Sequence, residues 1–156
     1  MRGEWRAGRW RGVPLYFHWT VLLGLPWLYY RTHSFEATLL SFAAYTALLL
    51  LHELGHAAAA KWRGAEVHSI RLLFIHGECR HEEPYYEKDD VIIAWGGVAA
   101  QLAVLVVALV AGKLMLAIAF AAYYKASSIF GVFIEINILT MAVNLIPVAP
   151  LDGAKA

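Results

Sequence analysis

Two histidines four residues apart, with a glutamate beside the first, stand at His52-Glu53-Leu54-Gly55-His56. On a helix, positions i and i+4 differ by about 40° of rotation, so both imidazoles face the same way and can hold one metal ion. Zinc suits two such nitrogens, and Glu53 is placed to take a proton from a zinc-bound water. A hydrolytic zinc site uses three protein ligands and one open position, so HELGH is one ligand short. The longer pattern HExxHxxGxxH is absent, because Ala59 and Trp62 stand where its Gly and His would be, and the inverted HxxEH is absent too. Glu78, Glu82 and Glu83 are candidates by distance but fall in a hydrophilic loop. Asp152 is the better candidate. It closes Asn144-Leu145-Ile146-Pro147-Val148-Ala149-Pro150-Leu151-Asp152-Gly153, where two prolines end an apolar segment. Broken backbone at that depth must line a cavity or be buried in protein.

These residues need elements to hold them. The chain has 156 residues, 60% apolar and 16% charged, against about 25% charged in an ordinary soluble domain. That balance is too apolar for a soluble fold of this length and excludes disorder. A net charge of +1 gives no footing to a nucleic-acid partner. Cys79 is the single cysteine, so neither an internal disulfide nor a cysteine-based zinc knuckle can form. The sequence is therefore expected to be an all-α integral membrane protein in a lipid bilayer, with about four spans at 13–30, 37–60, 91–112 and 126–150. Arg2, Arg6, Arg9 and Arg11 precede the first span, but no small-x-small cleavage pattern follows it, so an uncleaved anchor is expected. The segment 114–124 is apolar but short; it extends the third helix or lies at the interface.

Four spans with a cytoplasmic N-terminus place ten Lys and Arg residues on the cytoplasmic side and three outside. Both termini and the end of the HELGH helix are then cytoplasmic, and Asp152 shares their side. The loop 61–90 is expected to form a small cytoplasmic-side β-hairpin, with a strand over 67–75, a turn at His76-Gly77 and a return over 78–83. His76, Glu78, Cys79 and His81 read as loop polar groups, since their spacing suits no zinc site. Glu135, within the last span, is singled out without a partner to name.

HELGH on a transmembrane helix, with NLIPVAPLDG ending a later one, resembles the site-2 protease family of intramembrane zinc metalloproteases, and most nearly its compact bacterial, sporulation-factor-protease-like members. The resemblance runs from about 48 to 153. It implies that His52, His56 and Asp152 bind one zinc ion per chain, that Glu53 is the catalytic base, and that Asn144 supports the site. It implies one membrane-embedded metalloprotease domain over 1–156, in a bacterial plasma membrane. Three departures bear on substrate docking more than on zinc. Ala94-Trp95-Gly96-Gly97, with Gln101 downstream, stands where relatives often have Ala-Gly-Pro and an asparagine. Phe74-Ile75-His76-Gly77 replaces Phe-Gly-Gly, and Ala154 follows Gly153 where a second glycine is frequent.

The expected partner is a membrane-protein substrate whose transmembrane helix unwinds locally for cutting. The substrate-binding residues, a regulator and a homo-oligomer stay open. The loop hairpin is expected to add a strand to the unwound substrate. A proteolytically inactive membrane scaffold is the alternative; a metal transporter is opposed by polar groups that cluster at one depth.

Overall fold

The computed structural model describes residues 3–84, 86–148 and 151–154. It opens with two strands, β1 (Glu4–Trp10) and β2 (Val13–His18), joined by Arg11-Gly12 with φ of 47° and 89°. Positive φ at both central residues is the mirror-image turn that matches the twist of a two-residue hairpin. A 3₁₀ turn (Trp19–Leu23) leads into α1 (Gly24–Thr32), and α2 (Phe35–Trp62) follows. Strands β3 (Val67–Leu72) and β4 (Gly77–His81) separate α2 from α3 (Glu87–Ile118). The last helical run consists of α4 (Phe120–Gly131), a π-helical turn (Val132–Ile136) and α5 (Asn137–Asn144). A 3₁₀ turn over Asp152–Ala154 ends the described chain.

Among the described residues, three helices are long and apolar enough to cross a bilayer: Phe35–Trp62, Glu87–Ile118 and Phe120–Asn144. Val107, Val110 and Ile118 are more than 60% exposed, which suits a lipid-facing surface. No single helix covers the whole of the expected span at 13–30. Its first part is β2, and α1, at nine residues, covers only about 14 Å. β2 is held by pairing with β3, some 50 residues further on, which local hydropathy does not register. The all-α expectation is corrected with it, because the fold carries a four-stranded sheet of order β1-β2-β3-β4. The segment 114–124 divides: α3 runs to Ile118, Ala119 breaks the helix at φ −147°, and α4 begins at Phe120. Ala149 and Pro150, within the last expected span, lie outside the described residues.

Two devices fix α3 against α2. Gly55 and Gly96 face each other so closely that a Cβ on Gly55 would lie 2.8 Å from the Ala100 Cβ, and one on Gly96 2.8 Å from the Ala59 Cβ. Small residues at the crossing let backbones approach, as in membrane helix pairs generally. The glycine inside HELGH is thus a packing requirement. At the end of α2, Arg63 holds the buried Asp89 of the first turn of α3, with Nη2 at 2.7 Å and Nε at 2.8 Å from Oδ1. Asp89 also complements the positive N-terminal end of that helix.

The sheet lies along the second half of α2. β1–β2 and β3–β4 are antiparallel, while β2–β3 is parallel, with Leu15 opposite Ile70. Ile70 and Leu72 are buried against the helix. The Tyr45 hydroxyl donates to the carbonyl of Phe74, so the β3–β4 turn reaches back along α2 well beyond the level of HELGH.

Candidate metal centre

His52, Glu53 and His56 are all buried on α2, and their ligand atoms lie within 4.8 Å of one another. The two Nε2 atoms are 3.0 Å apart. The turn after α5 brings Asp152 to them: Oδ2 is 3.1 Å from His52 Nε2 and Oδ1 is 3.3 Å from His56 Nε2. Gly153 makes this turn possible, since a Cβ there would sit 2.7 Å from the carbonyl oxygen of Ile146. Asn144 reaches the same place, with Nδ2 3.3 Å from His52 Nε2. Glu53 stands further out, its Oε1 3.9 Å from His52 Nε2.

The second nitrogen of each ring is engaged. His56 Nδ1 donates to the Ile93 carbonyl at 2.8 Å, and His52 Nδ1 lies 3.0 Å from Gln101 Oε1. Oxygen acceptors at both Nδ1 atoms leave both neutral rings with a lone pair at Nε2. Two such lone pairs and a carboxylate then converge, an arrangement that repels itself unless a cation sits among them. Asp152 Oδ2 is buried with no hydrogen-bond partner among the described residues. Ligands about 2.0–2.1 Å from a tetrahedral centre lie about 3.3 Å apart, close to the spacings seen here. Two imidazoles and one carboxylate, with outer partners aiming the rings, is a donor set that zinc accepts.

Glycines press on this group from two sides. A Cβ on Gly97 of α3 would lie 2.6 Å from Cε1 of both His52 and His56. Gly77, opening β4, lies against the Glu53 carboxylate. A cavity of about 1090 Å³ extends from the four acidic and imidazole groups toward the sheet, with Glu4, His18, Arg71, His76 and Glu78 on its walls. Polar walls of this kind can hold water beside residues on an apolar helix.

The structure thus gathers His52, Glu53, His56, Asn144 and Asp152 at one point. It does not bring the other candidate ligands there. Glu78 pairs with Arg80 at 2.9 Å and approaches Arg71 at 3.5 Å, and Glu82 and Glu83 are exposed. His76, His81 and Cys79 line the cavity without forming a second metal group among the described residues. Burial, with Glu53 and Glu78 adding to it, pushes the Cys79 thiol up to about 12, so it stays protonated. Glu135 finds a partner in Arg31, with Oε2 2.8 Å from Nη2. A strand added to β3 is excluded, because β2 and β4 occupy both its edges; the open edge beside the site belongs to β4. Gln101, Gly97 and Gly77 were not among the expected site residues. A polar residue in the apolar run of α3 is the signal that marks Gln101.

No family model matches the sequence. The chain is 31% identical over 170 residues to a Synechocystis sp. protein provisionally named a zinc metalloprotease; the match takes in 99% of this chain and 43% of that one. The chain therefore spans less than half the length of that relative. Its fold is similar to the solved structure of the site-2 protease from Methanocaldococcus jannaschii, with a TM-score of 0.73 and 23% identity over 97% of this chain and 68% of the other.

Proposed function

We propose, from the premise that the chain is a site-2 protease family member, as its sequence likeness and fold support, that it is a zinc-dependent endopeptidase cutting a membrane-protein substrate within an unwound transmembrane segment. The observation that carries the reading is the convergence of His52, His56 and Asp152 with Glu53 one step outside them. In this reading the two imidazoles and the aspartate hold the metal. A zinc ion held there would supply a water of pKa near 7 and a Lewis acid for the scissile carbonyl. Glu53, one step outside the three ligands, accepts the proton of the attacking water at its carboxylate and returns it to the leaving amine. Asn144 donates its amide into the space beside His52, where the carbonyl oxygen of the substrate gathers charge.

A helical substrate hides its backbone in internal hydrogen bonds and must unwind to be cut. The open edge of β4, beginning at Gly77 over Glu53, offers main-chain partners to such a strand. The polar cavity supplies water from the sheet side, where Arg6, Arg9, Arg71 and Arg80 lie on the strands and which faces the cytoplasm in this reading. A bacterial plasma membrane and one zinc ion per chain complete the proposal.

The test is Glu53→Gln in protein reconstituted with a tethered reporter whose transmembrane segment carries helix-breaking residues. Cleavage should fall by about 10²–10⁴-fold while bound zinc stays at the parent level. Cleavage at the parent rate would overturn the assignment of Glu53, and a zinc-free parent after reconstitution would overturn the metal reading.

A further inference from the structure

We propose that Gln101 is a positioning residue that fixes the tautomer of His52, acting as the middle of a chain of hydrogen bonds from Asn137 through Thr140. The inference rests on the zinc reading above. Gln101 lies on α3 and is 1% exposed, so both ends of its amide need partners within the protein. Its Nε2 donates to Thr140 Oγ1 at 2.9 Å. The Thr140 hydroxyl directs its own proton to the carbonyl of Asn137, at 3.0 Å, and in that state accepts from the amide. This arrangement turns Oε1 of the Gln101 side chain toward His52 Nδ1, 3.0 Å away.

An oxygen acceptor at that point requires a proton on Nδ1 and keeps Nε2 free for the metal. With the acceptor gone, the ring is free to carry its proton on Nε2, where it blocks coordination. Asn137, fully buried, adds a bond from Nδ2 to the backbone carbonyl of Gln101 at 2.9 Å, which holds this level of α3 to the last helical run. His56 differs in kind. Its Nδ1 is held by the backbone carbonyl of Ile93, which no side-chain change removes. The orientation of His52 is thus set by a side chain, and three residues on two helices determine it.

The experiment uses the full chain in detergent micelles with ¹⁵N-labelled histidine. In the metal-free parent, His52 should carry a proton on Nδ1 even with the Asp152 carboxylate 3.1 Å from Nε2 competing for one. Gln101→Leu should shift that proton toward Nε2 and weaken zinc binding about 10- to 100-fold in competition with a chromophoric chelator. Gln101→Glu should restore the tautomer and bring the affinity back to within a fewfold of the parent, because a carboxylate accepts from Nδ1 and the Thr140 hydroxyl can turn to donate. A Leu variant with the parent's tautomer and zinc affinity would overturn the proposal, as would a Glu variant as impaired as Leu. If the Leu variant does not fold, Thr140→Val decides: it frees the amide to rotate and should mix the two tautomers, and an unmixed Nδ1–H ring would overturn the proposal. Failure of the parent to bind zinc would refute the metal reading instead, and the metal-free tautomer measurement separates the two.

Discussion

Replacing Gly97 with alanine tests whether α3 sets the position of the metal-binding pair. The new Cβ would lie 2.6 Å from Cε1 of both His52 and His56, against an ordinary contact of 3.4 Å or more, a shortfall of about 0.8 Å at each ring. Neither ring can swing away freely, because Ile93 and Gln101 hold both Nδ1 atoms. Functional metal–ligand distances tolerate about ±0.2 Å, so a displacement several times larger should remove one ligand from reach. The expected result is zinc binding weakened at least about tenfold, or 1.4 kcal/mol, with overpacking costing a further 1–3 kcal/mol of stability. Zinc per chain and the thermal midpoint with and without metal would be read together. Gly131→Ala is the control, since among the described residues nothing lies within 4 Å of its Cβ position. Parent-level zinc in a folded Gly97→Ala protein would show that the rings are not clamped as described.

Asp152→Ala should abolish stoichiometric zinc while leaving the three long helices folded, which metal analysis and circular dichroism would check; retained zinc would remove Asp152 from the ligand set. Arg63→Ala should destabilise the protein by about 3 kcal/mol in denaturant unfolding, because it leaves Asp89 buried without its cation. Cys79 should resist alkylation in the folded protein at pH 8, since its raised pKa keeps the thiol protonated until pH approaches about 12; unfolding should restore ordinary reactivity.

The chemistry was legible where it depends on spacing within one helix. HELGH gives two nitrogens and a carboxylate on one face by helical geometry alone, and the broken backbone around Pro147 marks the place of Asp152. The three long helices were legible from nearly continuous apolar composition, broken chiefly by HELGH in one and Glu135 in another. What the sequence conceals is pairing across distance. β2 reads as apolar and aromatic, and only its ladder with β3 makes it a strand. Glycine marks permissiveness without naming what approaches, so the contacts of Gly55 with Gly96, and of Gly97 with two imidazoles, needed coordinates. The same holds for Arg31 and Glu135, 104 residues apart. Gln101, Thr140 and Asn137 are polar residues in apolar runs, a pattern that flags a buried network but not which ligand it serves.

The parallel pairing of β2 with β3 also has a consequence in time. Leu15 and its partner Ile70 are separated by the whole of α2. At 5–20 residues per second, roughly 3–10 s of synthesis pass between them. During that interval the β1–β2 hairpin stands as an isolated two-stranded unit, which is marginal in water. The helix carrying His52 and His56 thus emerges before the sheet that walls its cavity, and well before Asp152. Both imidazoles are made ahead of Asp152, so the proposed metal centre can close only after the last helical run has been made.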